Sequence, residues 1–291
     1  MHELIDKYLD YINKTKNLSM NTTDAYKRDI YKFEQFLELD NRDFFSADVT
    51  TVTKFIQHLS KMGKKDASIA RNVICIRNFY KFLIKYGYID KSDIVSYEIP
   101  KFKRKSPEIL TIDEVNKLLA VPDTTTFKGI RDKAMLEMMY ATGLKITELL
   151  SIEIDDINFD FNYVKVKESN NFERIIPIGS YCVEWLKKYI EMRKEINDNK
   201  TLFLNVRGSS ISRQGFWKIL KHYAEQAHID KDINLYTLRH SIAVHLIQNG
   251  ADIQSLKELM GYKELSAIQI YMDIIKKNRL MEVYKNTHPR A

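Results

Sequence analysis

Apolar residues recur at helical spacing through most of the chain. After Ser19, a residue type suited to an N-cap, Tyr26, Ile30, Phe33 and Leu37 follow at intervals of three and four. Val52, Phe55, Ile56 and Leu59 repeat the pattern, which stops at Gly63. A further stripe starts near Ser68 with Ile69, Val73, Ile76, Tyr80 and Leu83, and Gly87 stands where a C-cap is expected. Stripes of this width need one another to be buried, so the first hundred residues predict a small helical bundle.

The pattern breaks at PKFKRKSP. Pro100 and Pro107 bracket Lys101, Lys103, Arg104 and Lys105, and prolines so placed end helices and stiffen a connection. The expected organisation is two domains, 1–100 and 107–291, with a basic linker at 101–106. Helical spacing resumes with Thr111 to Glu114, a capping box leading into Leu118 and Leu119. Another helix, near 130–140, ends at Ala141-Thr142-Gly143. The period then shortens to two. Tyr163, Val164 and Val166 precede Asn170-Asn171, and Ile175, Ile176 and Ile178 follow, which predicts a hairpin. Helices return at about 180–197, 212–227, 236–249, 252–260 and 264–272. The fold class is therefore mainly α with one small β-hairpin or sheet.

Composition narrows the function. Of 291 residues, 44% are hydrophobic and 29% charged, which excludes a mostly disordered chain. No run approaches the ~18 apolar residues of a membrane span, and MHELIDKYLD lacks the basic-then-apolar layout of a signal peptide. A cytoplasmic protein with no membrane partner is expected. Lysine and arginine total 46 against 39 acids, a net charge of +7, which favours a polyanion such as nucleic acid. On that count the linker lysines and Arg104 are also candidates for phosphate contact, beside their plainer reading as a solvated connection. Cys75 and Cys182 lie far apart and form no CxxC pair, so they read as reduced, buried small hydrophobes rather than a disulfide or zinc site. Gly-rich phosphate loops, HExxH and GxSxG are absent.

Three segments taken together carry a more specific message. ATGLKITELLSIEIDDI (141–157), LYTLRHSIAVHLIQNGADIQSLKELMGY (235–262) and SAIQIYMD (266–273) resemble the tyrosine recombinases, the phage-integrase family. LSMNTTDAYKRDIYKFEQFL (18–37) is similar to the start of that family's core-binding domain, and the closing HPRA is typical of its Xer branch. The resemblance covers nearly the whole chain, in order. It implies an N-terminal helical, SAM-like core-binding domain and a C-terminal catalytic-type domain closing as a C-shaped clamp on duplex DNA.

It also implies a chemistry. In this family a tyrosine hydroxyl attacks a DNA phosphodiester, forms a 3′-phosphotyrosyl link and expels a 5′-hydroxyl, with neither metal nor other cofactor. Two arginine forks stabilise the pentavalent phosphate, a hairpin lysine protonates the leaving oxygen, and two further donors assist. Carried over residue by residue, the pattern is only partly kept. Tyr271 falls at the nucleophile and Arg239 at the second arginine. Lys145 stands at the first arginine, Tyr236 at the first histidine, and Tyr262 at the second histidine or tryptophan. Ser169, in KESNNFER, stands at the hairpin lysine. Lysine keeps charge but loses the bidentate fork, and serine is no general acid near neutral pH. Lys167, two residues earlier and on the same strand face in a regular hairpin, is the candidate substitute acid.

Taken singly, each residue has a plainer reading: Tyr271 an amphipathic-helix residue, Arg239 and His240 a helix surface pair, Lys145 a helix-end cation, Tyr262 a half-buried aromatic, His245 a packing residue. The set supports a site-specific recombinase or integrase with weakened catalysis. The alternative is a catalytically inactive pseudo-recombinase, a DNA-binding or architectural partner. A type IB topoisomerase shares the chemistry but not the Xer-like N-terminal segment, and a helix-turn-helix regulator leaves 141–157 unexplained. The family resemblance further implies double-stranded DNA as partner and a homo- or hetero-oligomer on it, a tetrameric synapse when active. Leu280, Val283 and Tyr284 give the segment after Tyr271 a short apolar edge suited to a protein contact.

Overall fold

The computed structural model describes residues 2–16, 20–99, 106–167, 173–193, 199–262 and 264–288. By internal contacts the chain divides into two compact units, Met1–Arg104 and Lys105–Ala291. The linker residues Lys101, Lys103, Arg104 and Lys105 lie outside the described residues, as does Ser19.

The first unit packs α1 (His2–Lys16), α2 (Met20–Leu39), α3 (Val49–Lys61) and α4 (Asp66–Lys85), followed by a short 3-10 turn at Asp93–Ser96. The apolar stripes converge on one core that includes Ile30, Phe33, Leu37, Val52, Phe55, Leu59, Ile76 and Leu83. Ring pairs such as Phe44 with Phe79, 4.8 Å apart edge to face, fill its centre. Asp48 caps α3 by accepting from the Thr51 backbone N–H at 2.7 Å. The helix expected near Ser68 begins two residues earlier, at Asp66, where a carboxylate in the first turn suits the positive end of the helix dipole. Asp29, fully buried, is held by the Arg71 fork at 2.7 and 3.1 Å.

The second unit comprises α5 (Ile112–Ala120), α6 (Phe127–Thr142), α7 (Ile146–Ser151), β1 (Ile157–Asn158), β2 (Tyr163–Lys167), β3 (Glu173–Pro177), α8 (Ser180–Arg193), α9 (Arg213–Gln226), α10 (Thr237–Gln248), α11 (Ile253–Met260) and α12 (Ser266–Thr287). The Thr111 capping box is present, with Thr111 N–H to Glu114 at 2.7 Å and the reciprocal bond at 3.1 Å. The sheet is antiparallel in the order β1-β2-β3, one short strand more than a hairpin. Val164 pairs with Ile176 and Val166 with Arg174. Val164, Val166 and Ile176 turn into the core and the alternate residues turn out. Ser169 lies outside the described residues.

α6 runs through the middle of this unit and is buried on nearly every side, so its polar residues must be paired internally. Arg131 and Asp132 bond each other, and Asp132 also accepts from the Tyr223 hydroxyl at 2.9 Å. The helix expected at 264–272 continues to Thr287. The correction has a simple cause: 273–287 contains no glycine or proline, and Pro289 is the first residue able to stop it. Cys75 and Cys182 are free and buried, their thiols raised by burial.

Candidate active site

The second arginine sets the geometry. A turn in which Tyr236 N–H donates to Asn234 Oδ1 (2.8 Å) and Asn234 N–H donates to Thr237 Oγ1 (2.9 Å) launches α10. That helix is enclosed by its neighbours, and Arg239 is only 2% exposed. A guanidinium so buried is costly unless every direction offers an acceptor. One Nη donates to the Gly143 carbonyl, at the end of α6, and the other to the Met260 carbonyl at 2.6 Å, at the end of α11. Carbonyls at helix C-termini lack intrahelical partners and sit at the negative end of the dipole, so both suit a cation. The guanidinium also lies 4.8 Å from the Tyr262 ring centre.

Gly143 permits this approach. It takes φ +59°, and a Cβ there would lie 2.6 Å from Met260 Sδ and 3.2 Å from Ile242 Cγ2. The ATGL segment therefore needs its glycine for the left-handed turn and for the close passage of α10 and α11.

Tyr271, in the second turn of α12, is 1% exposed and packs with Ala243, Val244, Leu256, Met260 and Ile268. Its hydroxyl shares a hydrogen bond of 2.8 Å with His240 Nδ1 and one of 2.7 Å with the Tyr262 hydroxyl. Burial, and then Tyr262, push the phenol well above its ordinary range, with Arg239 opposing. His240 is pushed down to about 4, by burial and then by the Arg239 charge, so the ring is neutral near neutral pH.

Lys145 reaches the same place from the start of α7. Its Nζ lies 3.2 Å from Glu148 Oε1 and 3.5 Å from the Gly261 carbonyl, the residue after Arg239's acceptor. Glu148 is tied further, to the Lys145 backbone N–H at 2.8 Å and to the Arg174 fork from β3 at 3.1 and 2.8 Å. Burial alone would raise this carboxyl, but the Arg174 and Lys145 interactions outweigh it and hold it below its usual range. Arg174 also donates to the Leu259 carbonyl at 3.3 Å, which fastens the sheet to α11.

The structure thus brings together Tyr271, Arg239, Lys145 and Tyr262. Tyr236 stands at the rim, 42% exposed, with its ring 6.1 Å from His240 and its hydroxyl 3.4 Å from Arg213. Lys167, at the exposed end of β2, pairs with Asp156 at 3.5 Å rather than with these groups. His245 packs between Tyr140 and the Leu110 carbonyl, 2.9 Å from each. Reading Arg239 and His240 as a surface pair is corrected: Arg239 is buried and His240 half-buried, because α10 has no free face at its start. His240, Glu148 and Arg174 were not singled out as functional from sequence. Adjacency to Arg239 in TLRH was the one signal for His240, and the Glu148–Arg174 pair is 26 residues apart, beyond any local pattern.

As an arrangement, a phenol with two hydrogen-bonding neighbours and two cations converging on one helix end can serve a reaction that builds negative charge at oxygen. No helix among the described residues is long and apolar enough to cross a membrane.

Comparison with known proteins agrees along the chain. Residues 108–278 match the model of the phage integrase family, and residues 5–87 match that of the phage integrase N-terminal SAM-like domain. Tyrosine recombinase XerD of Staphylococcus epidermidis is 40% identical, and that of Listeria innocua 39% identical, each over the full length of both chains. Among solved structures, the XerH recombinase on palindromic difH in a post-cleavage complex is similar with TM-score 0.77 and 18% identity, covering 96% of this chain and 84% of that one. A lambda integrase dimer on a COC′ core site gives TM-score 0.74 and 17% identity, covering 93% and 94%.

Proposed function

The chain belongs to the phage integrase family, as a tyrosine recombinase, and from that premise we propose that it performs site-specific DNA recombination with a weakened cleavage step. The relatives named above are recombinases, two of them seen on DNA. Duplex DNA is the substrate, bound by an oligomer of this chain alone or with a related one, in the cytoplasm where that DNA lies. The single observation that carries the catalytic reading is the meeting of Tyr271 with Tyr262 at 2.7 Å while Arg239 lies over the Tyr262 ring.

In the proposed step the Tyr271 oxygen attacks phosphorus, the phosphorus–O5′ bond breaks, and the phosphate remains on the enzyme through its 3′ side. A 5′-hydroxyl from the partner strand reverses the step, so bond energy is conserved without ATP. Arg239 and Lys145 offset charge on the pentavalent phosphate. Lys145 contributes less than an arginine would, since it presents no fork and already serves Glu148 and Gly261. With Ser169 at the acid position, Lys167 is the donor proposed for the 5′-oxygen, a role that requires it to leave Asp156, 3.5 Å away, when DNA binds. Losing one well-placed donor to developing charge typically costs about 2.7–4 kcal/mol, or 10²–10³ in rate.

The second reading, an inactive DNA-binding partner, is favoured by the same Lys145 pairing and by the burial of Tyr271. One experiment separates them. A target selected from random duplexes is rebuilt as a suicide substrate nicked beside the scissile phosphate and run on a denaturing gel. The recombinase reading expects a weak covalent band, lost in Tyr271→Phe and strengthened by Lys145→Arg with Ser169→Lys. No band in any of these chains, with binding intact, favours the inactive partner. Failure to bind any duplex overturns both. Binding should weaken steeply with salt, with a log–log slope of about −0.9 per phosphate contact.

A further inference from the structure

We propose that His240 is a catalytic residue that takes the phenolic proton of Tyr271 as it attacks, an inference that rests on the recombinase reading and extends it. The motif position where a histidine is usual, two places before Leu238, is filled by Tyr236, which is exposed at the rim. A phenol is a poor proton acceptor near neutral pH. The imidazole nearest the reacting oxygen is the next residue after Arg239, with Nδ1 at 2.8 Å from the Tyr271 hydroxyl. That is within the reach a general base needs.

The two hydrogen bonds at Tyr271 impose a consistent direction. A phenol has one proton, so if it donates to His240 Nδ1, the bond with Tyr262 must run from the Tyr262 hydroxyl to the Tyr271 oxygen. His240 then carries its own proton on Nε2. In the empty site burial and Tyr262 resist ionisation of this phenol. With Tyr262 turned to donate, its hydroxyl hydrogen-bonds the oxygen that loses the proton, and Arg239, over the Tyr262 ring, polarises the donor. Burial first, and then Arg239, disfavour a charged imidazole while the site is empty. A bound phosphate, with its negative charge, offsets the Arg239 part and pairs with the imidazolium formed during attack.

The proton count closes. As the Tyr271 oxygen bonds phosphorus, its proton passes to Nδ1. The electron pair of the breaking phosphorus–O5′ bond stays on O5′, which takes a proton from the hairpin-side acid or from water. When a 5′-hydroxyl attacks the phosphotyrosine in the return step, the imidazolium gives its proton back to the Tyr271 oxygen.

The test has two arms on the full-length chain. In ¹⁵N spectra of the histidine rings, His240 should show the Nε2–H tautomer with Nδ1 accepting, and the Nδ1 signal should move in Tyr271→Phe. An Nδ1–H tautomer overturns the assignment, whatever the DNA chemistry. In the second arm, His240→Ala and His240→Asn are compared with wild type on a suicide duplex and on the same duplex with a bridging sulfur in place of O5′. Both variants should cleave about 10²-fold more slowly on both duplexes. Full activity of His240→Asn would reduce His240 to a positioning residue. Recovery on the sulfur duplex would make it an acid at the leaving group. Either result overturns the base assignment. A wild-type chain that forms no adduct overturns the cleavage reading beneath it, whereas a normal adduct with unaffected His240 variants overturns this inference alone.

Discussion

The hydroxyls of Tyr262 and Tyr271 meet at 2.7 Å, one just past the end of α11 and the other in the second turn of α12. Tyr262 thereby links the buried guanidinium under its ring to the oxygen that would attack phosphate. Tyr262→Phe removes the hydroxyl and keeps the ring. The Arg239 stacking should survive, and the lost hydrogen bond should cost about 0.5–1.5 kcal/mol of stability. Cleavage should fall by about tenfold if the hydroxyl supports the attacking oxygen, since ~1.4 kcal/mol is a factor of ten. Denaturant unfolding and covalent-adduct rates check the two effects separately.

Gly143 makes a stricter demand. Its φ of +59° disfavours any side chain, and an added methyl would meet Met260 Sδ at 2.6 Å. Left-handed backbone alone costs a non-glycine residue about 1–2 kcal/mol, and the crowding adds to that. Gly143→Ala should therefore lower stability by more than ~1 kcal/mol in urea titration. It should also reduce DNA cleavage more than binding, because the carbonyl that seats Arg239 moves with the turn.

How much of this was legible beforehand depends on the range of the interaction. The stripes of α2, α3 and α4 follow from residues three and four apart, and the Thr111–Glu114 cap from residues three apart, so periodicity alone found them. The family frame picked out Tyr271, Arg239, Lys145 and Tyr262, which the structure brings together. Nothing local pointed to Glu148 answering Arg174 from β3, or to α10 being enclosed so that His240 faces Tyr271. Those facts arise from packing between segments 26 and 31 residues apart. The end of α12 was missed for another reason: a helix stop was expected where no stopping residue exists.

Lys145 and Glu148 define a prediction about the clamp proposed to be weakened. Lys145→Arg restores a fork at the first-arginine position, but it must share Glu148 with Arg174. Cleavage should rise by up to about 10²-fold, the scale of one preorganised donor. Glu148→Gln tests the competition in the opposite sense. It removes the Glu148 charge from the mostly buried Arg174 and should destabilise the fold, by up to roughly 3 kcal/mol, the low end for breaking a buried ion pair. A double variant no less stable than Lys145→Arg alone would show that Arg174 does not depend on Glu148.

The depressed pKa of His240 gives a pH dependence with a definite sign. In the unfolded chain this ring titrates near 6.5, and in the fold near about 4, so between those values the unfolded state binds more protons. Stability should thus rise with pH across that window. Its contribution is complete above the unfolded pKa and is lost as pH falls toward the folded one. Arg239 on the same helix and Tyr271 from α12 are the charged and titratable groups facing the ring, with Tyr236 at its edge. The Tyr271 phenol is pushed up, away from that range, so the slope is assigned to the imidazole. A depression of this size corresponds to a few kcal/mol at most, on the order of 3, from ~1.36 kcal/mol per pH unit. His240→Asn, which cannot titrate, should flatten the stability profile between about pH 4 and 6.5 relative to wild type. Parallel profiles for the two chains would mean that the ring is solvated in the fold and that its neutral state is not imposed by burial beside Arg239.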